Sequence, residues 1–278
     1  MINKVKKIAT VHDLSGVGRC SLTAAIPILS VLGHQPCPFP TAVLSCQSGY
    51  KNYSFLDLTD EMKKYKDSWG KMGFVFEGIY TGFLASINQI DIVLDFIISS
   101  KESIVFVDPV MGDNGHIYPI YSKEMCKKMC SLVEKADIVA PNLTEALILL
   151  DKDYSNLNLS DEEIINIARM VSKLGPKKVV ITGVLKGNSI CNYGYDKVKD
   201  ESFIVSSRYN GVSIGGTGDV FSSVVYGMLL KGCSFKKSVK KASDFVLEAI
   251  ELTVATNSDL KNGVIFEPLL KELINIEI

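Results

Sequence analysis

Gly215-Gly216-Thr217-Gly218-Asp219 places three glycines and a hydroxyl residue directly before one carboxylate. Val220, Phe221, Val224, Val225, Met228 and Leu229 follow at helical spacing. This is a backbone-exposed loop feeding a helix N-terminus. The first N–H groups of such a helix have no intrahelical partner, and the macrodipole is positive there. Glycine lets an anion reach those N–H groups without side-chain obstruction. A carboxylate at the lip of an anion site repels the ligand. Asp219 makes chemical sense there as a base that takes a proton from a hydroxyl, which then attacks a phosphoryl group. The alternative is a glycine-rich turn in which Asp219 only caps the helix.

Two further polar clusters follow short apolar runs. Ser103-Ile104-Val105-Phe106-Val107 reads as a buried strand and ends in Asp108-Pro109-Val110-Met111-Gly112-Asp113. Carboxylates just past the C-terminal end of a parallel strand suit a hard cation such as Mg²⁺. Asp, Pro and Gly also favour turns, so turn chemistry is the competing reading. Asp137-Ile138-Val139-Ala140 reads as a second such strand, followed by Pro141-Asn142-Leu143-Thr144-Glu145. Asn142 and Glu145 have capping-box spacing, yet the same pair suits a hydrated metal–phosphate cluster.

The elements that must position these groups are legible in the periodicity. Ile8-Ala9-Thr10-Val11 predicts a first strand, and His12-Asp13-Leu14-Ser15-Gly16-Val17-Gly18 a turn. Leu22, Ala25, Ile26, Leu29 and Leu32 predict a helix that stops at Gly33. Pro36, Pro38 and Pro40 argue against a central strand before about Thr41, and the polar run after Leu44 reads as a loop or flap. Residues 60–72 read as helical. Gly78 to Phe83 reads as a strand and ligand-side turn, with a helix through Ile90, Val93, Leu94 and Ile97. Ser160 and Glu163 cap a helix over 161–173, and Lys177 to Thr182 is a strand ending at Thr182-Gly183. Gly187 to Tyr195 suits an antiparallel extension, residues 196–212 read as irregular, and Ser234 caps the last long helix. Strands alternating with helices predict an α/β fold in three layers, a largely parallel sheet with helices on both faces.

The 278 residues suit one such domain, 1–278, and no linker divides them. Hydrophobic residues make up 47% and charged residues 22%, which is globular composition. A net charge of −1 gives no electrostatic case for nucleic acid or an anionic membrane. No apolar run reaches membrane-span length, and Met1 to Ile8 carries no signal-peptide pattern. Cys20, Cys37, Cys46, Cys126, Cys130, Cys191 and Cys233 are scattered and form no CxxC pair, as expected of reduced thiols in the cytoplasm. No GxGxxG follows the first strand, so dinucleotide chemistry is excluded.

With these motifs in hand, the chain resembles the pyridoxal/pyridoxamine kinases of the ribokinase-like superfamily over nearly its whole length. Gly216-Thr217-Gly218-Asp219 is similar to their GTGD motif, and Asp108 to Asp113 to their DPVxGD signature. Ala136 to Asn142 with Glu145 is similar to ADIIxPNxxE, while Ser48-Gly49-Tyr50 and Thr81-Gly82-Phe83 stand where those kinases carry TGY. The resemblance implies an ATP- and Mg²⁺-dependent kinase acting on the 5′-hydroxymethyl group of pyridoxal, pyridoxamine or pyridoxine. It implies Asp219 as base and the N–H groups of Gly216, Thr217 and Gly218 as anion hole. It also implies Gly215, Asn142, Thr182 and Gly183 at the nucleotide, and Asp108, Asp113 and Glu145 at the metal. Asp13, Ser48 and Phe83 are implied at the substrate, with His12 either structural or nearby. A homodimer is implied as well. Phe83 replaces a Tyr, and Asp13 to Gly18 resembles instead the DPSGGAG-like loop of hydroxymethylpyrimidine kinases. A hydroxymethylpyrimidine kinase is therefore the rival reading, and a non-catalytic vitamer-binding protein the rival of another class.

Overall fold

The computed structural model describes residues 5–274 and 276. The expected leaderless start at Met1–Lys4 falls outside the described residues. Strand β1 (Lys7–Ser15) leads into helix α1 (Ser21–Val31), strand β2 (Gln35–Leu44) and strand β3 (Phe55–Asp57). Helix α2 (Thr59–Lys71), strand β4 (Gly78–Thr81), helix α3 (Ile87–Ser99) and strand β5 (Ile104–Val107) follow. A hairpin of β6 (Gly112–Asp113) and β7 (His116–Ile117) precedes α4 (Lys123–Val133), β8 (Ile138–Val139), α5 (Leu143–Leu149) and α6 (Asp161–Leu174). Strands β9 (Lys178–Lys186), β10 (Ser189–Asp196) and β11 (Glu201–Arg208) precede α7 (Thr217–Lys231) and α8 (Phe235–Ala255). Short 3-10 turns at Leu260–Asn262 and Glu267–Leu273 follow.

Nine strands form one sheet in the order β11-β10-β9-β8-β5-β4-β1-β2-β3. Six of them, β1, β2, β4, β5, β8 and β9, run parallel, and β3, β10 and β11 pair antiparallel at the two edges. Successive residues of a strand point to opposite faces, so each central strand feeds two cores. Ala9, Val11, Ile79, Val105 and Val107 pack with residues of α2 to α6. Ile8, Tyr80, Phe106 and Val180 pack with α1, α7 and α8. The result is the expected three-layer α/β fold. Every parallel strand between β1 and β9 aims its C-terminal end at the same rim, where ligands bind in this architecture.

Four expectations are corrected. β1 does not stop at Val11 but runs on through His12 and Asp13 to Ser15, because β2 lies beside it throughout. β2 is a strand despite its prolines. Gln35 N–H donates to Lys6 across the β1 pairing, so by alternation the prolines at 36, 38 and 40 turn their missing N–H to the open side. Residues 201–208 are not irregular but form an edge strand whose Phe203 and Val205 enter the core. β9 also continues past Thr182, kinking at Gly183, whose N–H donates to Asn192 Oδ1 at 3.0 Å. The capping boxes at Asn142/Glu145 and Ser160/Glu163 are both formed, and Ser234 caps α8.

Candidate active site

Two helix N-termini converge at the rim. Gly216 caps α7 in the left-handed region at φ 81°, and Thr217 and Gly218 open the helix. A Cβ at Gly216 would lie 2.1 Å from the Arg19 carbonyl oxygen, so only glycine fits where this loop meets the start of α1. Thr217 anchors the turn by donating its hydroxyl to Ile214 O at 3.1 Å. The N–H groups of Thr217 and Gly218 lie in the first helical turn, where the helix itself supplies no acceptor. Gly215 sits next to the flap, with Gln47 Oε1 3.4 Å from the position of its absent Cβ.

Asp219 occupies the first turn of α7 and is half-buried. The Ser21 backbone N–H at the start of α1 favours its ionised form. Burial first, then the charges of Asp108 and Asp13, push it up to about 7. Asp108, just past β5, is buried and accepts the Ser222 hydroxyl of α7 at 2.9 Å, and burial raises it to about 7 as well. Asp13, near the end of β1, is buried and accepts the hydroxyls of Ser15 at 2.9 Å and Ser21 at 2.5 Å. Burial still holds its carboxyl above the usual range. The three acids thus come from β1, β5 and α7.

The second cluster is built differently. Glu145 is buried and accepts the N–H groups of Met111 at 3.0 Å and Asn142 at 2.9 Å. Burial and then the Asp108 charge raise it well above the carboxylate range. Asn142 is committed to structure on both sides. It caps α5 through Glu145 N–H at 3.0 Å and donates to Gly112 O at 2.7 Å, which holds the β6–β7 hairpin. Asp113 lies on that hairpin, exposed, with both oxygens on Asn114. The structure therefore brings Asp108 and Glu145 together and sets Asp113 in turn chemistry. Thr182 pairs with Asn142, its N–H bonded to Pro141 O at 2.9 Å, and the neighbouring Gly183 is exposed.

Of the residues expected at the substrate, Ser48 is exposed on the flap, whereas Gln47 turns inward and bonds the Lys261 carbonyl. Phe83 lies edge-on to Tyr121 at 6.3 Å. His12 is fully buried with both ring nitrogens unpartnered, edge-on to Tyr80 at 4.3 Å. Burial drives its imidazole down to about 3, so it is neutral. A Cβ at Gly82 would lie 2.3 Å from His12 Nδ1, so that glycine makes the room His12 fills.

Sequence reasoning passed over Ser21, Gln47 and Tyr118. Tyr118 follows the hairpin, its N–H bonded to Met111 O at 2.9 Å. Partial burial, then the charges of Glu145, Asp113, Asp108 and Asp219, push its phenol up. A phenol within the field of all four acids marks a common electrostatic centre. Among the described residues no three carboxylate, imidazole or thiol groups converge into a metal cage. The mutually repelling Asp108 and Glu145 nevertheless fit a divalent cation that keeps part of its water shell. Among the described residues no helix is long and apolar enough to cross a membrane.

The arrangement can therefore hold an anion at the α7 N-terminus, counter a cation at Asp108 and Glu145, and accept a proton at Asp219. The phosphomethylpyrimidine kinase family profile matches residues 40–264. A hydroxymethylpyrimidine/phosphomethylpyrimidine kinase of Aquifex aeolicus is 28% identical over 210 residues, 75% of this chain and 80% of that one. A candidate phosphomethylpyrimidine kinase of Bacteroides thetaiotaomicron, crystallised with pyridoxal, is 43% identical with a TM-score of 0.94, covering 99% of this chain and 98% of that one. Pyridoxal kinase of Lactobacillus plantarum is 25% identical with a TM-score of 0.91, covering 98% and 97%. The extent of the profile match, joined to this site, places the chain in the phosphomethylpyrimidine kinase family.

Proposed function

We propose that the chain, as a single kinase domain, transfers the γ-phosphoryl group of ATP to the hydroxymethyl group of a vitamin B6 precursor: pyridoxal, pyridoxamine or pyridoxine. The observation that carries this reading is the placement of Asp219. Its carboxylate stands in the first turn of α7, raised to about 7 by burial and the charges of Asp108 and Asp13. Asp219 takes the hydroxyl proton as the substrate oxygen bonds to phosphorus. The bond from the γ-phosphorus to its bridging oxygen breaks, and ADP leaves. The N–H groups at Gly216, Thr217 and Gly218 hold charge on the transferred group. Catalysis of this kind is mainly positioning and electrostatics.

Asp108 and Glu145 would hold Mg²⁺, with Asp113 reaching it only through water. The cation would neutralise phosphate charge when bound. Thr182 and Gly183 border the nucleotide, with Asn142 shaping that border through its backbone and cap. Asp13 faces the substrate ring, and Ser48 and Phe83 flank it. All seven cysteines are free thiols, which fits a cytoplasmic enzyme. The resemblance to pyridoxal kinases also favours a homodimer, which sedimentation would check.

Hydroxymethylpyrimidine is the second candidate substrate, favoured by the family profile and by the Aquifex relative. Purified protein with MgATP and each heterocyclic alcohol in turn, read by ADP release, decides between them. We expect the largest kcat/KM with a B6 vitamer. A larger value for hydroxymethylpyrimidine overturns the substrate, and tight vitamer binding with no ADP release overturns the kinase reading. Asp219→Asn should keep substrate KM within about 3-fold and lower kcat by about 10²–10⁴, the range for loss of a general base.

A further inference from the structure

Ser86 and Gln89 open α3 with capping-box spacing, and the Ser86 hydroxyl accepts Gln89 N–H at 3.2 Å. The return bond of that motif would run from the Ser86 N–H to the Gln89 side chain. Here Gln89 Oε1 instead accepts Ala85 N–H, one residue earlier, at 2.8 Å. Its Nε2 donates to Thr41 O on β2 at 2.9 Å, to Asp57 Oδ2 at the end of β3 at 3.1 Å, and to Thr59 Oγ1 at the start of α2 at 3.2 Å. Gln89 is fully buried. A buried amide costs stability unless its polar atoms are bonded, and a methionine of similar length has no such requirement. What glutamine adds at this position is the tie from α3 to β2, β3 and α2. Thr41 extends the tie. It is fully buried, and its hydroxyl donates to Phe83 O in the turn after β4 at 3.1 Å. β2 and β4 lie on opposite sides of β1, so this bond spans β1. Thr41 stands beside the register slip of β1 between His12 and Leu14, which is the position of Asp13. The same turn is held again one residue on, where the Tyr121 hydroxyl donates to Leu84 O at 2.9 Å. Residues 83, 84 and 85 are therefore each pinned by a buried side chain. Thr41 and Asp57 form the base of the β2–β3 stem, which carries the flap at 45–54.

We infer that Gln89 and Thr41 form a clamp that sets the width of the slot for the acceptor ring, between the Phe83 turn and the flap. Both are positioning residues. The Gln89 amide holds the two sides of the flap stem at Thr41 and Asp57, and the Thr41 hydroxyl fixes that stem to Phe83 across β1. A slot of fixed width favours the heterocycle that fills it. Pyridoxal carries an aldehyde, a hydroxyl and a methyl group beside its hydroxymethyl arm, whereas hydroxymethylpyrimidine carries an amino and a methyl group. A widened slot loses contacts mainly with the bulkier ring, and so loses discrimination between the two. Gln89→Met keeps the length of the side chain and removes its hydrogen bonds. Thr41→Val keeps the shape and removes only the donor to Phe83 O.

This inference rests on the reading that Phe83 and the flap flank the substrate. The test is steady-state kinetics of the full chain with MgATP and either pyridoxal or hydroxymethylpyrimidine, together with the pyridoxal Kd measured without nucleotide. For Gln89→Met, KM and Kd for pyridoxal should rise about 10-fold while kcat and KM for ATP stay within about 3-fold, the scale of lost hydrogen bonds that act on binding alone. The kcat/KM preference between the two heterocycles should shrink about 5-fold or more, within the range that fit in an apolar slot supplies. Thr41→Val should move the same constants in the same direction by about 3-fold. The double variant should be no worse than Gln89→Met, because the Thr41 hydroxyl fixes the stem to Phe83 only while the stem itself is held. Thermal melts show whether each variant is folded, and Thr41→Val decides by the same constants where Gln89→Met does not fold. Folded variants with a lower Tm but wild-type KM, Kd and preference overturn the clamp, as does a parallel loss in kcat and in KM for ATP. A wild type that binds pyridoxal without releasing ADP overturns the kinase reading alone, and the Kd values then support or overturn the clamp by themselves.

Discussion

Asp219 is useful because its surroundings oppose its ionisation without preventing it. Burial and the nearby Asp108 and Asp13 raise it to about 7, while Ser21 N–H pulls in the other direction. A base works only when ionised, so protonation of Asp219 removes activity on the acid side. We expect kcat/KM to fall below a midpoint near pH 7, well above the ordinary carboxylate range near 4. The limb in kcat should lie lower, because a bound cation stabilises the ionised acid. A pH–rate profile flat between pH 5 and 8 in kcat/KM would remove Asp219 from the proton transfer. Asp108 and Glu145 were legible in the sequence because each follows a short apolar run, and Asp219 because it ends a glycine-rich loop just ahead of an apolar helical pattern. Ser21 was not, since serine does not announce a positive φ and its partners lie on other elements. Tyr118 was hidden similarly: only the hairpin at 112–117 brings its phenol within reach of the charges of Glu145, Asp113, Asp108 and Asp219.

At the scale of elements, the flap after β2 is tied to the C-terminal turn rather than left free. Tyr50 donates its hydroxyl to Asn262 Oδ1 at 2.5 Å, and Gln47 bonds the Lys261 carbonyl. Arg19 joins the same turn, its N–H on Asn262 O at 3.1 Å and its guanidinium on Glu267 at 2.6 Å. One turn at 260–262 thus latches the flap and the approach to α1. Asn262→Ala breaks the side-chain part of that latch and leaves the backbone part. We expect KM for the alcohol to rise about 3–10-fold, the worth of one exposed-to-half-buried hydrogen bond, with kcat little changed. Faster proteolytic cleavage within 47–53 should accompany it, and unchanged KM and cleavage would mean that the latch has no part in binding. The sequence pattern carried the alternation of strands and helices but misjudged β2. The spacing at Pro36, Pro38 and Pro40 is itself the strand period, with every missing N–H on one side. Read that way, the prolines were a signal for the strand rather than against it. Residues 201–208 escaped because an edge strand buries only alternate residues, here Phe203 and Val205 among polar neighbours.

For the molecule as a whole, the site is a source of instability that its ligands should relieve. Net charge is only −1, yet Asp13, Asp108, Glu145 and Asp219 are gathered at one rim, and among the described residues no lysine or arginine is a hydrogen-bond partner of theirs. Asp108 and Asp219 are both raised to about 7, against about 4 in an unfolded chain. The folded state therefore holds these protons more tightly. Their contribution to stability is fully present below about pH 4 and is lost as pH rises through about 7. Asp108→Asn keeps an acceptor for the Ser222 hydroxyl and cannot ionise. It should raise the stability of the ligand-free protein by about 1–3 kcal/mol at pH 8, or a few degrees in Tm, and by much less at pH 5. MgATP should raise the Tm of the wild type more than that of the variant, because the cation then has less repulsion to offset. Thermal melts of both proteins at pH 5 and pH 8, with and without MgATP, read all four conditions. An Asp108→Asn variant less stable than wild type at pH 8 would show that the Asp108 charge is held favourably by the fold. The rim would then be a structural ion network, with no strain left for a nucleotide and its cation to release.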